Sequence, residues 1–281
     1  EISTEDAAVL LEAVRKELEN DIYKFYVGTS YRHLTIWDKG EVVDLTPPHD
    51  VLGQKIGQYL PKDDKLREMM KKSYDILSNH PINVERMKRG LNPANSLWFW
   101  GAGTRPMLTS FEEKTGHKGA MISAVDLLKG IAVGAGMKVI EVEGANGGLD
   151  TNYEGKADAA VDVLLNGGCD FAYIHLEAPD EMGHQGSYER KVKAIENLDK
   201  RIIKRVVEKM EAAGEDFRML VLPDHPTPVA IRTHVSDPVP YMLYDSTDKK
   251  NNTWSYNEKD GEASGNYIAE GHTIINRLFE K

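Results

Sequence analysis

Residues 170–186 read DFAYIHLEAPDEMGHQG, and residues 217–228 read FRMLVLPDHPTP. Each is a short apolar run that breaks into a loop carrying carboxylate and imidazole, Asp180 and His184 after the first, Asp224 and His225 after the second. Continuous apolar runs of this length, set between helical stretches, read as strands buried on both faces of a parallel sheet. The helical stretches are VDLLKGIAVGA (125–135), YEGKADAAVDVLLNG (153–167) and YERKVKAIENLDKRIIKRVVEKMEAAG (188–214). Between and around them lie the further runs SLWFWG (96–101), GAMISA (119–124), MKVIEV (137–142) and VPYMLYD (239–245). The alternation predicts an α/β domain over residues 94–281, a mostly parallel sheet with helices on both faces.

Upstream the rhythm differs. AAVLLEAVRKELEN (7–20) places Val9, Leu10, Ala13, Val14 and Leu18 at helical spacing, with Ser3 or Thr4 as its cap. Three β-rich runs follow, YKFYVG (23–28), SYRHLTIW (30–37) and EVVDL (41–45), and then two helices over 65–80 and 82–90, closed by Pro81 and Gly90. Residues 1–93 are therefore expected to form a smaller α+β domain of order αβββαα. No initiator methionine, signal peptide or starting strand precedes the first helix, which is the pattern of a chain entered in mid-domain.

The 281 residues carry 35 Lys and Arg against 45 Asp and Glu, a net charge of −10. That balance argues against nucleic acid and anionic membrane surfaces as partners. The single cysteine, Cys169, cannot form an internal disulfide, so a reducing compartment, most simply the cytoplasm, is expected.

In open α/β sheets the ligand lies beyond the carboxyl ends of the strands. His234, nine residues past His225 and just before the next strand, brings the set there to Asp180, His184, Asp224, His225 and His234. Carboxylate oxygen with imidazole nitrogen suits manganese, zinc, cobalt or iron better than calcium. Five such groups exceed the needs of one tetrahedral ion and invite two, about 3.5–4 Å apart, as in a phosphoryl-transfer clamp. A lone Asp-His pair is ordinarily a turn or a cap; the joint pattern on successive strand ends is far rarer. His175, inside an apolar strand, reads as a core or supporting histidine, and His80, His117 and His272 read as structural.

The stretches SYRHL (30–34), TPPHD (46–50), NPANSLWFWGAGTRP (92–106), AVGAGM (132–137), HLEAPDEMGHQG (175–186), LPDHPTP (222–228) and DPVPYMLYD (237–245) together resemble the archaeal-type cofactor-independent phosphoglycerate mutases of the alkaline phosphatase superfamily. The resemblance implies a phosphatase-like α/β domain carrying a smaller α+β insert, and two divalent ions (Mn, Zn, Co or Mg). It implies that Asp180, His184 and His234 hold one ion and that Asp224 and His225 contribute to the second. It further implies a small phosphorylated hydroxy-acid substrate, with Arg32, His49 and Arg105 as substrate-binding candidates. In that family a serine nucleophile and a further aspartate come from an N-terminal segment with no counterpart here. The chain is therefore expected to be a C-terminal portion, inactive alone and associating with an N-terminal fragment or with itself. A homoserine kinase-like or phosphonopyruvate decarboxylase-like relative, or a non-catalytic metal-binding module, are the alternatives.

Overall fold

The computed structural model describes residues 2–248 and 253–280. Two compact units divide the chain, Glu1–Arg105 and Pro106–Lys281.

The first unit is built on α1 (Thr4–Leu18). The Ser3 side chain accepts from the Asp6 amide, Glu5 and Asp6 occupy the first turn, and Arg15 and Lys16 the last, all favourable to the helix dipole. Its buried face is Ala7, Leu10, Leu11, Val14 and Leu18. Val9, expected on that face, is instead exposed, one step off the stripe. The face packs with Tyr23 and Phe25 of β1 (Tyr23–Tyr26), and β1 pairs antiparallel with β2 (Leu34–Trp37), Tyr23 opposite Trp37. Leu66, Met69 and Leu77 of α2 (Asp64–Leu77) close the core, and α3 (Pro81–Lys88) follows.

Two expected strands do not form. In EVVDL (41–45) the apolar alternation tucks Val43 and Leu45 against the core without any strand pairing. In SLWFWG (96–101) Leu97 and Phe99 do the same, while the Leu97 amide donates to Ser73 Oγ (2.9 Å) and the Trp98 indole to the Thr46 carbonyl (2.7 Å). Alternation reports which side chains are buried, and these two runs bury theirs with no neighbouring strand. The same contacts, with Asn83 clasping the amide and carbonyl of Ala94 (2.8 and 2.9 Å), tie residues 94–99 to the first unit. The compact units divide after Arg105.

The second unit opens with α4 (Phe111–Thr115) and then alternates strand and helix: β3 (Gly119–Ile122), α5 (Asp126–Gly134), β4 (Lys138–Val139), α6 (Tyr153–Leu165), β5 (Phe171–Ile174). These strands form a parallel sheet of order β4-β3-β5, with β3 buried along its whole length. A short helix, α7 (Ala178–His184), leads to α8 (Tyr188–Asn197), a π-helical turn at Leu198–Ile203, and α9 (Lys204–Ala213). The expected single helix over 188–214 is thus continuous but changes pitch at its middle. Tyr153, Ala157 and Val161 of α6 pack on Ile202, Val206 and Met210. β6 (Arg218–Val221) and β7 (Met242–Asp245) pair antiparallel as a separate two-stranded sheet, followed by α10 (Glu258–Ala263) and α11 (Asn276–Phe279). Among the described residues no helix is long and apolar enough to cross a membrane.

Candidate metal centre

Asp180 and His184 stand four apart on α7 and so share a face, with Asp180 Oδ2 3.3 Å from His184 Nε2. The opposite face buries Ala178 and Met182, the latter packed with Ala194 of α8, and this fixes the helix. After β6 the chain runs through Asp224, His225 and Thr227, then turns back. The Ile231 and Arg232 amides donate to the Pro228 carbonyl, and the Val235 amide to that of Pro226. The hairpin-like return brings His234 over His225, ring centroids 3.7 Å apart, and its Nε2 to 3.3 Å from Asp180 Oδ1. Ligand atoms of Asp180, His225 and His234 all lie within 4.8 Å of one another. His184 joins them, its Nε2 3.1 Å from that of His234, and Asp224 Oδ2 stands 3.4 Å from His225 Nε2.

The protons of this cluster are constrained. A carbonyl oxygen only accepts, so His184 Nδ1, 3.0 Å from the Arg232 carbonyl, carries a ring proton, and in the neutral ring Nε2 presents a lone pair. Arg232 holds that carbonyl in place with a positive φ of 61°, rare for a residue with a Cβ. Lone pairs and carboxylate oxygens thus face each other with few protons between them. A donor set of nitrogen and oxygen that is short of protons is what a borderline divalent cation satisfies.

Near the cluster lies a group of buried and half-buried polar side chains. His175, at the end of β5, meets Ser123 Oγ through Nδ1 (3.3 Å), and burial pushes its pKa down while the nearby Asp224 and Asp180 carboxylates oppose the shift. Lys156 of α6 is fully buried and donates to the His175 carbonyl (3.1 Å), and burial lowers its pKa against the pull of Glu177. Glu177 is held above the usual carboxylate range by burial, with Lys156 acting the other way. Lys191 of α8 donates to the Thr227 carbonyl (2.6 Å), its own pKa lowered by burial.

Of the expected site residues, the five from the strand-end loops meet in this one place. Arg32 belongs to the first unit, where its guanidinium lies 5.4 Å from the centroid of the Tyr31 ring, and Arg105 is exposed at that unit's end. The side chain of His49 lies outside the described residues. Thr227, inside LPDHPTP, was not singled out by sequence reasoning, although its place between two ligand-type histidines was a signal. Lys156 and Lys191 gave none, since a lysine on a helix is ordinarily solvated.

The metalloenzyme superfamily model matches residues 28–272, and the chain belongs to that superfamily. Its relatives narrow the class. The 2,3-bisphosphoglycerate-independent phosphoglycerate mutase of Methanosarcina barkeri is 51% identical over 253 residues, which cover 88% of this chain and 63% of that one. A probable mutase of the same name from Geobacter sulfurreducens is 42% identical over 285 residues, 100% of this chain and 71% of the relative. A solved structure of a Pyrococcus horikoshii protein matches with a TM-score of 0.78 at 26% identity, covering 99% of this chain and 69% of that chain. The chain therefore spans about two-thirds of the length of these proteins.

Proposed function

We propose that the protein to which this chain belongs is a metal-dependent phosphoglycerate mutase, interconverting 3-phosphoglycerate and 2-phosphoglycerate through a phosphoserine, in the cytoplasm. The observation that carries the reading is the convergence of Asp180, His225 and His234 within 4.8 Å, with His184 and Asp224 beside them, in a chain whose relatives bear that name. Asp180, with one oxygen toward His184 and the other toward His234, would hold one ion with those two rings. Asp224 and His225 would contribute to a second. Divalent ions, manganese among the candidates, would supply Lewis-acid stabilisation of charge on the transferring phosphoryl group.

The chain's own residues have definable tasks. The Arg232 carbonyl directs the proton of the neutral His184 ring to Nδ1, which leaves Nε2 as the ligand atom, and the packing of α7 on α8 keeps Asp180 aimed at both rings. Arg32 and Arg105 are proposed to bind the anionic groups of the substrate, guanidinium being matched to phosphate and carboxylate in a bidentate way. The serine that accepts the phosphoryl group is not assigned to a residue of this chain.

Isothermal titration of the 281-residue chain with Mn²⁺, beside Asp180→Asn, tests the metal reading. Binding to the unaltered chain and its loss by at least about 100-fold in the variant is expected, beyond the 10–100-fold that supporting residues command. A mutase assay on protein of the relatives' full length tests the reaction. Metal binding without turnover of either phosphoglycerate would overturn the substrate assignment alone.

A further inference from the structure

Thr227 is 3% exposed and sits where the two ligand loops meet. Its Oγ1 donates to Asp180 Oδ1, a necessary direction because a carboxylate only accepts. That commits the hydroxyl's one proton. The second contact of the same oxygen, 3.3 Å from His225 Nδ1, must then be an acceptance, so Nδ1 carries a ring proton and, in the neutral ring that binds metal, the lone pair falls on Nε2. One hydroxyl thereby fixes the rotamer of a carboxylate and the tautomer of an imidazole. The backbone around it is held as well, by Lys191 on the Thr227 carbonyl (2.6 Å). A buried hydroxyl that merely satisfies itself takes a nearby carbonyl, as Ser73 does with that of Met70 (2.7 Å). Thr227 instead spends both capacities on side chains of the metal cluster.

The geometry points to Thr227 as a positioning residue that couples the two halves of the metal site, orienting Asp180 for one and presenting His225 Nε2 for the other. The inference rests on the metal reading of the cluster. It predicts that occupancy on one side is sensed on the other, because Asp180 and His225 share one proton donor and acceptor between them.

The test compares Thr227→Val, of similar shape, with Thr227→Ser, and Thr227→Ala with the same Ser variant to isolate the hydroxyl once the methyl is lost. Mn²⁺ titration of the 281-residue chain, ¹⁵N shifts of the His225 ring and the metal-free melting temperature are read together. Thr227→Val and Thr227→Ala should each lose about 10–100-fold in Mn²⁺ affinity, with the His225 ring shifting from the Nδ1–H tautomer to a mixture. Thr227→Ser should restore both readouts, and the metal-free melting temperatures of Val and Ser should agree. Mn²⁺ affinity in both hydroxyl-free variants equal to that of the unaltered chain would overturn the inference while leaving the metal reading intact. Failure of the Ser variant to restore affinity would do the same. An unaltered chain that binds no Mn²⁺ would overturn both.

Discussion

Arg232 is among the few non-glycine residues with positive φ, and its neighbourhood shows why the conformation persists. Its carbonyl orients His184, and its guanidinium lies against Gly186, where a Cβ would overlap it. Strain of this kind, of order 1–3 kcal/mol, survives where the surroundings over-determine it. A second charged residue has a consequence that can be read in acid. Asp158 of α6 receives both arms of Arg205 (2.6 and 2.8 Å) and the Lys209 ammonium (2.8 Å). The hydrogen bonds from Arg205, and then from Lys209, hold its carboxyl down to about 2 from an ordinary 3.8. A folded-state value below the unfolded one means the stabilisation is present above about pH 4 and is lost as the pH falls toward 2. Asp158→Asn should therefore flatten the fall of melting temperature between pH 4 and 2 relative to the unaltered chain, with only a modest loss at pH 7 because the pair is partly exposed. A decline as steep as that of the unaltered chain would assign the acid sensitivity elsewhere. At this scale the sequence exposes side chains by type and by place in the chain. Asp180, His184, Asp224, His225 and His234 follow apolar runs or precede one, whereas Thr227 and Lys156 acquire their surroundings only from contacts 47 and 19 residues away along the chain.

Helix α7 joins its loop through a glycine. A Cβ on Gly183 would overlap the Thr227 carbonyl and stand 3.1 Å from Lys191 Nζ. Alanine is the better helix former by about 1 kcal/mol, yet forcing matter into a filled site costs about 1–3 kcal/mol, and the obstacle here is backbone that cannot rotate aside. Gly183→Ala should accordingly lower the melting temperature by about 2–4 °C per kcal/mol of net loss and weaken Mn²⁺ binding. A variant that melts higher than the unaltered chain would show that the loop yields freely. Elements were legible where period and partner coincide. The parallel sheet and its helices were read from alternation, since β3 and β5 are flanked by amphipathic segments of the right length. EVVDL and SLWFWG carry the alternation of strands yet form none, because a two-residue period marks burial, and pairing requires a neighbour that the sequence does not name. The antiparallel pairing of β6 with β7, closed by Arg218 and Asp245 (2.7 Å), likewise follows from the return loop that carries His234.

Over the whole chain, residues 101–109, through which the chain passes from the first unit to the second, are exposed throughout and free of regular structure. Each unit has its own buried cluster, that of the first around Val14 and Phe25, the largest in the second around Tyr153 and Val206. His184 and His234 are 50 residues apart in sequence, so the proposed ion, gripped by both, would close a long loop of the folded chain. An ion that binds the folded state alone stabilises it by mass action, by about 2.7 kcal/mol at a hundredfold excess over its dissociation constant. Calorimetry with and without a chelator should show the transition of residues 106–281 moving down on metal withdrawal, while that of the first unit stays where it was. Equal shifts in both would show that the clasp is not confined to the second unit. With the proposed ion in place, the histidine-bearing return loop would be a reversible fastening between distant parts of the chain, opened by whatever competes for the ion.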